Sequence, residues 1–400
     1  MEALKTTLPE DYRPYIDVYF HRTLEILKAE GLNPWVRGQV MIRKGPGTVG
    51  GIDEAIAAIE KYDSSAQSTG RIWALEEGES YDARETLLIA EKPIQSFVDL
   101  ETLYLGVLSR GTTSASDGVD TIDFRRAKEK MAAVVSAAEG RPVFYFGARH
   151  WDFREDAAIA QAAFDGGATG ASTDIAAALI GKKGLGTIPH VLENIMAWRY
   201  GKDQAVVEAT KAFDRHIDSK IPRIALIDYN NREIDDSLAT ARALEGRLYG
   251  VRVDTCGENV AQGACLSPMS AQSLLWKQEG LRLPELDAPE AKYWYGSGVT
   301  VTGVFALRRA LDAAGFQDVK IVLSSGFADV QKVRAFVAAE KILGVRLFDS
   351  LGVGGIYDSR AAKMDIVAVG DAPDQMTPIS KAGRSYSPNP RLKEVAALVQ

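Results

Sequence analysis

Five short stretches offer side chains suited to chemistry. They are Phe-Gly-Ala-Arg at Phe146–Arg149, Gly-Thr-Ile-Pro-His at Gly186–His190, Arg-Val-Asp at Arg252–Asp254, Ser-Ser-Gly at Ser324–Gly326 and Leu-Gly-Val-Gly-Gly at Leu351–Gly355. Each closes a run that reads as a β-strand. In a βα barrel such strand ends open on one face, and that face does the chemistry. A flat aromatic, two arginines, a histidine, carboxylates and a glycine cradle would hold a small planar acid beside a phosphorylated, metal-bound partner.

Each residue type has its own reason. Gly352, Gly354 and Gly355 follow an apolar run, and Ser325 and Gly326 follow another. Glycines let backbone amides approach a phosphate, although the same residues also build plain strand-to-helix turns. Arg149 and Arg252 end strands, where a planar fork can grip a carboxylate or phosphate, or else a neighbouring acid. Asp228 and Asp254 suit Mg²⁺, which takes oxygen ligands alongside substrate phosphates; the bland alternative pairs them with those arginines. His190 could be a base, a nucleophile, a phosphoryl acceptor or a satisfied polar residue. Phe146 and Tyr19 could stack a flat ring, or belong to the core.

The elements that must position these residues follow from periodicity. Helical stripes predict helices over Pro14–Ala29 and Phe97–Leu108, and Val36–Ile42, Arg71–Leu75 and Thr86–Ile89 read as strands. The Ser, Thr and Gly-rich stretch Ser109–Gly118 reads as a boundary loop. Beyond it, strand and helix alternate, which argues for a parallel sheet. The seven strands expected are Val143–Phe146, Ala168–Ser172, Leu185–Ile188, Arg223–Asp228, Leu248–Asp254, Val319–Ser324 and Val345–Phe348. The expected fold is α/β: an irregular seven-stranded βα barrel over 116–359, plus an α+β sandwich domain built from 1–115 and the tail 360–400.

Composition bounds the rest. The chain has 400 residues, 46% of them hydrophobic, and a formal charge of −7. Its basic residues are scattered, so no nucleic-acid partner is expected. No apolar run approaches the ~18 residues that span a bilayer, so no membrane partner is expected either. The N-terminus shows no secretory pattern, and two cysteines, Cys256 and Cys265, cannot build a disulfide framework, so the expected compartment is cytoplasmic.

Taken together, these stretches resemble those of nicotinate phosphoribosyltransferases, within the type II phosphoribosyltransferases that include nicotinamide and quinolinate phosphoribosyltransferases. The resemblance begins at Asp17-Val18-Tyr19, continues through Glu101–Gly106 and then takes in the five stretches in order. It implies that Phe146 stacks one face of the pyridine and that Tyr19, with Asp17 nearby, covers the other from a partner subunit. It implies that Arg149 and Arg252 surround base and phosphates, and that Asp228 and Asp254 serve metal and sugar diphosphate. Ser325, Gly326, Gly352, Gly354, Gly355 and the basic tail residues Lys381 and Arg384 would meet phosphates, and His190 would be phosphorylated in an ATP-coupled cycle. Ser172 falls where nicotinamide-using relatives carry an aspartate, which favours a carboxylate ring. Ile188 and Pro189 depart from members that carry a second histidine there.

The implied reaction joins nicotinate to phosphoribosyl pyrophosphate, giving nicotinate mononucleotide and pyrophosphate, with Mg²⁺ as cofactor and ATP as a possible co-substrate, in NAD supply. A homodimer or larger assembly with shared sites is implied. Alternatives are a quinolinate or nicotinamide transferase and a non-catalytic pyridine nucleotide sensor. A Schiff-base lyase would want a lysine at a strand end, and those strand ends offer none.

Overall fold

Two main sheets take up twelve strands: β1 (Trp35–Ile42), β2 (Arg71–Ala74), β3 (Thr86–Pro93), β4 (Val143–Tyr145), β5 (Gly170–Ala171), β6 (Arg223–Leu226), β7 (Leu248–Val253), β8 (Lys320–Leu323), β9 (Ser350–Val353), β10 (Ala362–Gly370), β11 (Thr377–Pro378) and β12 (Lys393–Glu394). The structure is a computed structural model that describes residues 2–63, 70–275 and 283–395; tail residues 396–400 lie outside them. The helices that bear on the site are α1 (Val18–Ala29), α2 (Ile52–Tyr62), α3 (Glu101–Asp117), α4 (Asp156–Asp165), α5 (His190–Tyr200), α6 (Ala205–His216), α7 (Glu233–Ala243), α8 (Val301–Ala313) and α9 (Val330–Leu343).

The first sheet is antiparallel, in the order β11-β10-β1-β3-β2-β12. The tail strand β10 pairs with β1 along its whole length, from Trp35 opposite Gly370 to Ile42 opposite Ala362, with one bulge at Arg37/Gly38. Residues distant in sequence thus share one ladder. A core of Phe20, Ile26, Val36, Leu88, Phe97 and Leu103 fills its covered side. Leu192, Ile195 and Met196 of α5 and Phe213 of α6 join that same core. The helix that begins at His190 is therefore fixed against the antiparallel sheet.

The stretch Ser109–Gly118 is not a loop. It is the second half of α3. Its hydroxyls turn back onto the chain's own carbonyls: Ser109 Oγ donates to Leu105 O at 2.6 Å and Thr113 Oγ1 to Ser109 O at 2.6 Å. Residues that usually compete with a helix can in this way be absorbed by one. Gly111 has a packing reason, since a Cβ there would lie 2.5 Å from the Gly50 carbonyl carbon. The helix ends at Gly118 with φ 65, the left-handed cap that glycine adopts freely.

The second sheet is parallel, in the order β5-β4-β9-β8-β7-β6. Among the described residues six strands stand where seven were expected. Leu185–Ile188 forms no ladder among the described residues. Instead Leu185 N–H donates to Ala171 O on one edge strand at 2.8 Å, and Thr187 Oγ1 donates to Ile224 O on the other at 2.7 Å. The last strand is also displaced. Val345–Phe348 reads as a strand, but β9 begins at Ser350. Leu347 and Phe348 are fully buried, so the apolar run marks core filling rather than pairing. A core of Tyr145, Trp151, Ile227, Leu323, Phe336 and Leu351 packs around this sheet.

Candidate functional site

A cavity of about 1050 Å³ runs along the parallel strands, from Pro142, Pro222 and Lys320 at their amino ends to Phe146, Asp254 and Ser324 at their carboxyl ends, and reaches β10. Its lining gathers Asp17, Tyr19, Phe146, Arg149, His190, Arg252, Asp254, Ser325, Gly326, Gly352, Gly354, Gly355, Lys381 and Arg384. Two of the residues expected at the site do not line it: Ser172 and Asp228.

One end is aromatic. Phe146 follows β4, and its N–H donates to Val353 O at 2.8 Å. Its ring lies directly over Gly352, where a Cβ would come within 2.6 Å of ring carbons. Tyr19 stands in the first turn of α1, seated on Gly186 in the same way: a Cβ there would be 2.8 Å from the tyrosine ring. The Tyr19 hydroxyl accepts from Arg149 Nη1, which also donates to Glu101 Oε1 at 3.2 Å. Asp17 is held by Thr102, whose Oγ1 donates to Asp17 Oδ2 at 3.1 Å. Burial works against the Arg149 charge, yet Tyr19, Glu101, Asp17 and Asp254 together raise its proton affinity. Tyr19 thus lines the cavity of its own chain. The chain segment explains this: Asp17 bridges Thr173 and Val18 N–H donates to Ser172 O, so the start of α1 is sewn onto the end of β5.

The other end is built for anions. Ser325 has φ 65 and Gly326 φ 87, a left-handed pair that turns the chain from β8 toward α9. Lys332, in the first turn of α9, donates to Ser325 O at 3.1 Å, and burial pulls its amine down to about 8. Gly354 backs onto His150, where a Cβ would lie 2.8 Å from the imidazole. On the sheet opposite, burial together with Arg43, Arg384 and Arg149 pulls Lys363 down to about 8. Lys363 thus reports positive charge gathered in a poorly solvated space, whereas Lys332 is lowered by burial alone, against Asp329 and Asp254.

Between the ends lies an ionic cluster. Arg252 Nη1 donates to Ser324 Oγ at 3.2 Å and sits 3.3 Å from Asp254 Oδ2. Ser324 Oγ donates to Asp254 Oδ1 at 2.7 Å. Beneath it, His190 Nε2 meets Asp228 Oδ1 at 2.9 Å, and Lys381 donates to Asp228 Oδ2. Burial raises the Asp228 carboxyl, but Lys381 and His190 outweigh it and keep it ionised far below the usual range. Burial and the Lys381 ammonium lower His190, against the pull of Asp228. The imidazole is therefore neutral at physiological pH, the state in which a ring nitrogen can act as a nucleophile. Donor atoms of His190, Asp228 and Asp254 all lie within 4.8 Å of one another.

Ser172 is a correction to the reading of ring preference. It does not line the cavity, and its hydroxyl is buried without a hydrogen-bond partner. Conversely Glu101, Lys332 and Lys363 line the cavity and were not singled out from the sequence. Lys332 sits seven residues beyond Ser325, in the first turn of α9, and that spacing was the available signal. The lysines also qualify the search of strand ends, because they enter from a helix start and from the other sheet.

Residues 17–112 match the family described as quinolinate phosphoribosyl transferase, N-terminal domain. No curated protein matches the chain. Among solved structures, the nicotinate phosphoribosyltransferase from Vibrio cholerae is 14% identical, with 92% of this chain and 87% of that one covered and a TM-score of 0.63. The nicotinate phosphoribosyltransferase from Porphyromonas gingivalis is 12% identical, with 94% and 96% covered and a TM-score of 0.62. The nicotinate-nucleotide pyrophosphorylase from Pyrococcus furiosus is 26% identical over 98% of this chain and 86% of that one, with a TM-score of 0.42. The resemblance read from the sequence holds: the chain has the type II phosphoribosyltransferase fold.

Proposed function

We propose that this chain transfers the phosphoribosyl group of phosphoribosyl pyrophosphate to the ring nitrogen of nicotinate, giving nicotinate mononucleotide and pyrophosphate for NAD synthesis. One observation carries the reading: a single cavity joins the Phe146–Tyr19–Arg149 end to the Ser325–Gly326 and Gly354–Gly355 loops. A ring and a phosphorylated sugar can therefore lie side by side in it.

The ring nitrogen carries its own lone pair, so no general base is needed. That pair forms the new bond to the anomeric carbon as the bond to the pyrophosphate oxygen breaks, and the departing group takes the electron pair. Phe146 and Tyr19 hold the ring between aromatic faces, and Arg149 takes its carboxylate. This positioning turns a two-body encounter into an oriented one. Arg252 and Arg384 present positive charge toward the phosphates, joined by Lys332 and Lys363 while these are protonated, and this stabilises the charge that develops on leaving.

Mg²⁺ suits the residues present. Asp254, which lines the cavity, and Asp228 behind it would hold the cation through carboxylate oxygens, the donor type that Mg²⁺ takes. When bound, Mg²⁺ supplies further neutralisation of the pyrophosphate. ATP coupling would use His190 as phosphoryl acceptor, with Asp228 orienting the ring. A homodimer is proposed on the resemblance alone.

Incubation with phosphoribosyl pyrophosphate, Mg²⁺ and each of nicotinate, nicotinamide and quinolinate, with and without ATP, tests the reading. Nicotinate mononucleotide is expected. A second reading, quinolinate as substrate, draws on the cations Arg43, Lys363 and Arg384 of the cavity lining, which could meet a second carboxylate. Product from quinolinate alone would select it, and no product from any ring would leave a pyridine nucleotide sensor.

A further inference from the structure

Arg149 does not stand alone at the ring end of the cavity. Glu101, the first residue of α3, is only 7% exposed, lines the cavity and accepts from Arg149 Nη1 at 3.2 Å. A carboxyl there competes for the same guanidinium that an anionic ring would use. We infer that Glu101 decides whether Arg149 accepts an anionic or an uncharged ring: neutral, it leaves the guanidinium free for a carboxylate; ionised, it cancels that charge and accepts from an amide. This rests on the placement of the ring at Arg149 proposed above.

The surroundings make both states accessible. Facing Glu101 are Arg149 from the turn after β4, Tyr19 and Asp17 from the start of α1, Asp365 from β10 and Tyr104 from its own helix. Burial is the largest influence and raises the carboxyl; Arg149 lowers it; Asp17 and Asp365 raise it again, to about 8. The amides at the start of α3 favour the ionised form and pull the other way. Ser172 cannot do this discriminating, since its hydroxyl does not reach the cavity. Among the carboxyls expected or found at the ring end, Glu101 is the one bonded directly to the cation.

The test is the ratio of kcat/KM for nicotinate over nicotinamide from pH 6 to 9, in the wild type and in Glu101→Gln. Taking a ratio cancels titration of the shared sugar substrate. In the wild type the ratio should fall about a hundredfold between pH 7 and 9, since the neutral form that serves the carboxylate ring drops about tenfold while the ionised form that serves the amide ring rises about tenfold around a titration near 8. In Glu101→Gln it should stay high and level. A level wild-type ratio overturns the inference, and so does the same fall in the variant. The wild-type profile decides alone if the variant does not fold. Calorimetric titration of each ring on the same pH series separates this from the transferase reading. Rings that bind with a pH-dependent preference but are not turned over would support the role of Glu101 and sink the transferase; rings that bind without such a preference would overturn the role of Glu101.

Discussion

His190 Nε2 lies 2.9 Å from Asp228 Oδ1, while the second oxygen of that carboxylate accepts from Lys381. The imidazole is thus oriented through a buried anion whose charge is already balanced. Nothing in this arrangement requires His190 for attack on the sugar, but it does suit a nitrogen that takes a phosphoryl group. His190→Ala should therefore keep slow phosphoribosyl transfer and lose stimulation by ATP. Rates with and without ATP check this; stimulation that persists in the variant would make the histidine structural.

Lys381→Met should strand Asp228 as an uncompensated buried charge. Breaking a buried pair by removing one partner destabilises by roughly 3–5 kcal/mol. Urea unfolding at neutral pH should show a loss of that order. A change under about 1 kcal/mol would mean that water or another cation already serves Asp228.

Gly352→Ala should push Phe146 off its seat, because the added methyl would meet the ring at 2.6 Å. The ring end of the cavity would narrow while the sheet persisted. KM for nicotinate should rise by about tenfold or more, equivalent to about 1.4 kcal/mol of lost binding. Unchanged KM in a folded variant would show that Phe146 does not hold the ring.

Lys332 should make binding of the phosphorylated sugar depend on pH. Its amine titrates at about 8 in the free protein, so its charge is present below that value and lost above it. KM for phosphoribosyl pyrophosphate should climb from pH 7.5 to 9 in the wild type. Lys332→Arg, charged throughout, should flatten the climb, and an identical profile in both would assign the dependence elsewhere.

Asp156 is 1% exposed and accepts from Thr173 Oγ1 at 2.6 Å. Burial raises its carboxyl to about 7 from an ordinary 3.8. The folded state then binds more protons than the unfolded one across that window, so this group removes stability as pH rises from about 4 to 7. Asp156→Asn should be less pH-sensitive between pH 5 and 8. The difference in unfolding free energy should be on the order of 2 kcal/mol; parallel curves for the two proteins would rule this out.

The strand-end stretches were legible because they combine apolar runs with residues that a core cannot hold uncompensated. Phe146, Arg149, Arg252 and Asp254 stood out on those grounds, and the cavity brings them together. What escaped notice came from elements whose residues look ordinary in sequence. Glu101 opens a helix and resembles any first-turn acid. Lys363 lies on a tail strand whose pairing with β1 spans more than three hundred residues, a distance no local pattern reports. Ser109–Gly118 misled because composition marks hydroxyls and glycines as loop formers, whereas here they bond backward and pack against Gly50. Ser172 was placed by likeness, and the fold leaves it outside the cavity lining with its hydroxyl buried.

Tyr19 and Arg149 meet within one polypeptide. Damage to either is therefore private to the molecule that bears it. Co-expressing a Tyr19→Ala chain with an Arg149→Ala chain would produce no undamaged ring pocket through this contact, however the subunits are shuffled, so complementation between the two alleles should fail.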